Sequence, residues 1–286
     1  MGLRAMLKGN KAYRAHGNGN YEEAMRLYEE AMAEGLDQPR YMLSYAVLLL
    51  RDGQYAKARD LLVKIQKTPG LTPDMKAELF VDYAAAVFRL GELDKGINLL
   101  RRQHQHAPSG LVYQTLGYLL VEKYLPERKP DFDALEAEEA AAREAAPAAA
   151  AEAEAPEGEA AEAAPIPAEA KPSARELWAQ GLAEAEAFER EAVEYDDEDA
   201  VVLDNMGQFI YRVKGDPAAA KAWFDRAIAL KPGQIDTLWF LSRYDLEAGE
   251  TAKAVERLEK AAEGRFSPLN FADKAMIEAE LQRLKG

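Results

Sequence analysis

Read for its hydrophobic and polar positions, the chain is helical over most of its length. Apolar residues return at three- and four-residue intervals, as on one face of a helix. The periodic stretches are separated by turn glycines at Gly53, Gly91, Gly215 and Gly249. Each follows one such stretch and precedes another, where a helix commonly ends on a residue in the left-handed conformation. Small residues recur in step at Ala24, Ala58, Gly96, Ala185, Ala220 and Ala254. Ala24 and Ala58 are 34 residues apart, and so are Ala220 and Ala254. This period predicts a repeated unit of two antiparallel helices joined by a tight turn. One pair cannot hide its apolar face alone, so neighbours stack into a quasi-linear solenoid with a continuous core. Residues 270–284 predict a capping helix, with Phe271, Ala275, Ile277 (or Met276) and Leu281 against the last unit and Glu278, Glu280, Arg283 and Lys285 towards water.

The rhythm breaks once. Residues 126–172 are mostly Ala, Glu and Pro, with 13 acidic against 4 basic residues, which is −9 of the chain's net −14. Pro147, Pro156, Pro165 and Pro167 would break any long helix, although 133–146 keep a helix-forming composition. Almost no large apolar residue offsets the entropy of ordering, so a disordered acidic insertion is predicted. It falls within the fourth unit. A first helix ends near Tyr124, and Ala185, Phe188 and Ala192 follow at the spacing of a second helix. Loop-closure entropy grows only with the logarithm of loop length, so such a loop is tolerable. The alternative, two solenoids on a linker, leaves both of those helices unpaired. The division expected is 1–125 for the N-terminal units and the first helix of the fourth, 126–172 for the insertion, and 173–286 for the remainder.

The 286 residues include no cysteine, which rules out a disulfide scaffold, a thiolate metal site and a cysteine nucleophile. No apolar run reaches the length of a membrane span, and Lys8 and Lys11 interrupt any signal-like apolar stretch at the start. The acidic balance argues against nucleic acid as a partner. His104 and His106 are two apart on a helix and point in different directions, and His16 lies near the first turn, so no metal site is expected. The Asp196-Asp197-Glu198-Asp199 run lacks the glycine and closing glutamate of a calcium loop and reads as a cap for a helix from Ala200. Neither a catalytic group nor a cofactor site is expected, and the chain reads as non-enzymatic.

The units resemble the tetratricopeptide repeat family. The fifth matches its pattern with Leu203, Met206, Gly207, Ile210, Ala220, Phe224, Ala227 and Pro232, its turn one residue longer than usual. The third offers Phe80, Tyr83, Ala84, Val87, Gly96, Leu100 and Pro108, and the second Met42, Tyr45, Ala46, Leu49, Ala58 and Leu62. The first keeps Tyr13, Tyr21, Ala24, Tyr28 and Ala31. The sixth keeps Leu238, Leu241, Gly249, Ala254 and Leu258, with Ser242 where a Gly or Ala is usual. Gly117, Gly207, Ala46 and Ala84 fall where paired helices approach closely. The resemblance implies an all-α, right-handed α-solenoid of about six repeats with a C-terminal capping helix.

It also implies a concave groove, lined by the first helices, that binds a protein or peptide. The groove residues implied are Lys11, Arg14 and Arg51, then Phe88 and Arg89, then Gln114 and Tyr118. Gln208, Tyr211, Arg212, Trp239 and Arg243 complete the set, with Tyr118, Tyr211 and Trp239 expected to stand exposed. The clamp with which some members hold chaperone tails is missing: its places hold Leu7, Lys11, Ser44, Glu78 and Asp82, or Gln114, Tyr118, Asn205, Asp236 and Phe240. The expected role is an adaptor or assembly scaffold in a bacterial cytoplasm. The alternative is a regulatory or sensor subunit whose groove is switched by a peptide or by the acidic insertion.

Overall fold

The computed structural model describes residues 2–138, 140–141 and 172–286. Helices α1 (Leu3–Gly17) and α2 (Tyr21–Ala33) form the first pair, α3 (Pro39–Arg51) and α4 (Tyr55–Gln66) the second, and α5 (Pro73–Arg89) and α6 (Leu93–His106) the third. The fourth is α7 (Gly110–Lys123) with α8 (Ala174–Tyr195). The fifth is α9 (Ala200–Gln208), continued by a π-helical turn at Phe209–Val213, with α10 (Pro217–Leu230). The sixth is α11 (Ile235–Glu247) with α12 (Thr251–Ala262), and α13 (Lys274–Lys285) ends the chain. Among the described residues there is no strand.

Local chemistry sets these boundaries. Gly53 and Gly249, at φ 75° and 79°, close the turns after α3 and α11 in a conformation that other residues adopt at a cost. Ser173 and Glu176 form a reciprocal capping box at the start of α8. Asp199 accepts the amides of Val201 and Val202, so the acidic run is a helix cap, as expected. The extra residue of the fifth unit is absorbed in the π-helical turn, the usual way a helix accommodates one inserted position. The last helix starts later than its apolar pattern suggests: Asp273 caps it by accepting the Met276 amide, and residues 270–273 lie outside it.

Successive first helices pack on one another, α1 on α3, α3 on α5, α5 on α7 and α7 on α9, whereas each second helix, beyond the first helix of its own unit, chiefly touches the first helix that follows. The first helices therefore line the inside of the curve. Because α7 packs on α5, α6, α8 and α9, the stack runs unbroken past the insertion, and the two-solenoid alternative does not hold.

Most of the insertion lies outside the described residues. Its beginning is described and corrects the expectation of disorder from Pro126 onward. Pro126–Arg128 form one 3-10 turn and residues 132–138 are helical. Phe132 is buried, edge-on to Trp178 at 6.4 Å, with the Arg175 guanidinium 5.1 Å from its ring centroid and ion-paired to Asp133 at 2.7 Å. This one large apolar residue folds the start of the segment onto α8.

Close approach fixes the pairs. A Cβ on Gly207 would stand 2.7 Å from the fully buried Phe224 ring, which is itself stacked on Phe240. At the split fourth unit, a Cβ on Gly117 would stand 3.0 Å from both Asn205 Nδ2 and Glu189 Oε1. Glu189 of α8 is fully buried, and neither carboxyl oxygen has a hydrogen-bond partner. Burial pushes its pKa from 4.5 up to about 8, so the side chain is largely neutral at pH 7.

Two outcomes are expected. Gly207→Ala should lower stability by about 1–3 kcal/mol through overpacking, whereas Gly17→Ala, with no atom within 4 Å of the added methyl, should not; denaturant midpoints check this. Glu189 should make stability fall as pH rises from 4.5 towards 8, because the unfolded chain ionises there and the buried group does not, at a slope of about 1.4 kcal/mol per pH unit. Glu189→Gln should match the wild type near pH 4.5 and exceed it at pH 8, read from thermal unfolding across that range.

Candidate functional site

The inner face of the last three units is a network of buried polar groups. Arg212 donates from Nη2 to Glu122 Oε1 at 2.8 Å and from Nη1 to Gln208 Oε1 at 2.9 Å. Gln208 in turn donates to Asp204 Oδ2 at 2.7 Å, and Thr237 donates to the other oxygen. Asp204 and Asp236 are almost fully buried, and burial holds both carboxyls above the usual range; the Asp236 charge pushes Asp204 further the same way. The π-helical turn of the fifth unit carries Arg212 into this network.

Across the network lies a segment of the chain itself, residues 263–273 between α12 and α13. Asp236 tethers it: Oδ2 accepts the Phe271 amide at 3.0 Å and Asn270 Nδ2 at 3.2 Å, and Oδ1 accepts the Ala272 amide at 3.1 Å. The Phe271 ring stacks on Phe240 at 5.2 Å and lies under the Arg212 guanidinium at 4.0 Å. Leu269 and Phe271 pack against the cluster that holds Tyr118 and Val121. Towards the other end, the Arg265 guanidinium stands 5.8 Å from the Tyr21 ring of α2. The segment thus reaches from the last unit across the concave face to the first.

Between segment and helices is a cavity of about 450 Å³, lined among others by Arg51, Gln114, Tyr118, Asn205, Asp236 and Arg265. Its floor is amide-rich: Gln114 donates to Asp199, and Asn205 donates to the Gln114 carbonyl at 2.8 Å. Arg51 and Arg265 both act on His16, which pairs with Ser44 Oγ at 2.7 Å; burial, then Arg51 and Arg265, lower the pKa of that imidazole.

Of the residues implied by resemblance, Arg51, Gln114 and Tyr118 come together at this cavity. Lys11 and Arg14 are exposed on α1. Phe88 meets Tyr118 edge-on at 5.9 Å, and Arg89 donates to the Tyr55 hydroxyl at 3.3 Å. The expectation that three aromatics stand exposed does not hold. Tyr118 is 4% exposed, and Gln208 beside the network is 1% exposed. Tyr211 packs among Phe224, Phe240 and Tyr244. Trp239 lies under the Arg243 guanidinium at 4.3 Å, and Arg243 is ion-paired at 2.6 Å to Glu280 of α13. Hydrogen bonding by Arg283 and Arg243 holds the Glu280 carboxyl down to about 2. The segment and α13 cover what the repeat pattern alone leaves open. Asp236, Asn270 and Arg265 were missed; the available signal was an aspartate among the apolar residues of α11, since a buried carboxylate needs donors from elsewhere.

Among the described residues no group of three His, Asp or Glu side chains could hold a metal ion, and no helix is long and apolar enough to cross a membrane. His104 sits edge-on between the Tyr113 and Phe188 rings. Removing the tether should free the segment: in Asp236→Ala the Phe271 and Ala272 amides should exchange hydrogen at least tenfold faster while those of α3 and α5 keep their rates. Unchanged protection at both amides would show that Asp236 does not hold the segment.

Residues 15–77 match the sequence model of the tetratricopeptide repeat. No curated protein matches the chain in sequence. In fold it is similar to TTC0263, a thermophilic tetratricopeptide repeat protein of Thermus thermophilus, at 16% identity and a TM-score of 0.54, covering 87% of this chain and 99% of that one. It is also similar to the human IFIT1 dimer with m7Gppp-AAAA, at 16% identity and a TM-score of 0.50, covering 92% of this chain and 48% of that one. Residues 15–77 thus carry the tetratricopeptide repeat in sequence, and the helix pairs that continue to residue 262 share the fold of tetratricopeptide repeat proteins.

Proposed function

We propose that the protein binds a segment of a partner protein along its concave face and serves as an adaptor or assembly scaffold. The fold supports a protein–protein interaction module, and tetratricopeptide folds are in general non-catalytic. The observation that carries the reading is the segment 263–273. The inner face already seats a polypeptide, gripping its amides with Asp236 and its aromatic side chain between Phe240 and Arg212. Beside it, a cavity lined by amides and guanidinium groups is left for a further chain. Such a surface suits an extended peptide, whose backbone needs donors and acceptors and whose side chains need pockets.

The same segment favours a second reading, a regulatory subunit whose groove is switched when a partner peptide displaces it. The acidic insertion, the other switch expected from sequence, lies mostly outside the described residues.

A photo-reactive residue at Gln114 or Ser267, which line the cavity, should yield adducts with the partner in native lysate. The same residue at Lys64 or Glu256, exposed on second helices, should not. Equal or stronger adducts from the outer positions would contradict groove binding. Asp236→Ala separates the two readings: partner capture should rise severalfold if the segment is a displaceable plug, and fall or hold if it is part of the scaffold.

A further inference from the structure

We infer that Arg51 and Arg265 form a two-guanidinium seat for the acidic side chains of a peptide bound in the concave cavity. The inference rests on the groove-binding reading and names the chemistry of its partner. The two residues come from distant parts of the chain, Arg51 from the end of α3 and Arg265 from the segment beyond α12, yet both line the same cavity. Both also bear on the same imidazole, His16, which places their positive charges in one neighbourhood.

Three arginines of the inner face are already engaged. Arg212 is held by Glu122 and Gln208, Arg243 by Glu280, and Arg89 by Tyr55. Among the described residues Arg51 forms neither an ion pair nor a hydrogen bond, and Arg265 makes only its contact over the Tyr21 ring. Both are exposed. Lys231, a third cation without an ion pair among the described residues, stands on the rim of the same cavity. Guanidinium groups present forked donors that match a carboxylate two bonds at a time.

The acids nearby do not take up these donors. Asp204 and Asp236, on the cavity floor, are committed to Thr237, Gln208, Asn270 and the backbone amides of Phe271 and Ala272. Asp82, with Glu78 beside it, lies within electrostatic reach of Arg51 without forming an ion pair to it; burial and the Glu78 charge push the Asp82 carboxyl up to about 7, which lessens its negative charge at neutral pH. What faces the open cavity is therefore cationic, set above amide groups that suit a peptide backbone. Because one guanidinium is carried by the tethered segment, the seat exists only while Asp236 holds that segment in place, and its ligand bridges the second unit to the C-terminal segment.

The test uses the full chain and a fluorescently labelled glutamate-rich peptide, with the same peptide carrying glutamine in place of glutamate. Fluorescence anisotropy at low and physiological salt reads binding. The acidic peptide should bind the wild type at least tenfold more tightly than the glutamine peptide, and Arg51→Gln with Arg265→Gln should remove that preference. Lys67→Gln, an exposed charge on the α4 cap, should leave it intact. Arg51→Lys with Arg265→Lys should retain the salt dependence and lose part of the affinity, because a lysine keeps charge without the fork. Equal binding of both peptides, or an acidic preference that survives the double glutamine variant, overturns the seat. If both peptides still compete with the adduct formed at Gln114, the groove reading stands without it; if neither peptide binds and no adduct forms there, both fall.

Discussion

Everything in this molecule depends on how near the two helices of a unit can come. At Gly207 the backbone of α9 lies against the face of Phe224, and at Gly117 the backbone of α7 lies against Glu189 and Asn205. Ala46 and Ala84, both fully buried, allow the same approach in the second and third units. A narrow pair presents its remaining apolar residues to the next pair, and the core becomes a ribbon of nearest-neighbour contacts. That is why a long insertion inside the fourth unit leaves the stack intact. The contacts that matter there join α7 to α5, α6, α8 and α9, and none of them uses the inserted residues.

Curvature then determines the chemistry of the inner surface. First helices packed side by side bring polar residues from different units within hydrogen-bonding distance. The chain uses this to bury two aspartates and to tie down its own C-terminal segment. Asp236 is the hinge of the arrangement, since three donors from residues 270–272 converge on its carboxylate. Burying a carboxylate is costly unless donors surround it, so the tether and the burial stabilise one another. Glu189 is the contrasting case. With no donor available it takes up a proton instead and its pKa rises to about 8, whereas the three donors on Asp236 work against burial and leave that carboxyl at about 6.

The stack was legible in sequence because its causes are local and periodic. Turn glycines, small residues at helix contacts and apolar stripes can all be read without knowing the fold, and even the long turn of the fifth unit was visible before it proved to be a π-helical turn. The groove was legible only in part. Arg51, Gln114 and Tyr118 do meet at the cavity, but Tyr118 is buried there and Trp239 and Arg243 lie beneath α13. These departures come from the segment 263–273 and α13, which belong to no repeat. Their placement depends on contacts between residues far apart in sequence, such as Arg265 with Tyr21 and Phe271 with Arg212. Periodicity carries no information about them. The order at Phe132 was missed for a similar reason, since one aromatic among alanines and glutamates matters only once Trp178 and Arg175 are beside it.

The C-terminal segment crosses the concave face and meets the first unit. The chain has no native cysteine, so spin labels can be placed on single cysteines introduced at Glu22 and Glu263, both exposed and near Tyr21 and Arg265 in sequence. Dipolar coupling between the two labels measures the closure directly. A narrow distribution at short distance is the expected result, and a broad distribution at long distance would show that the segment does not reach the first unit.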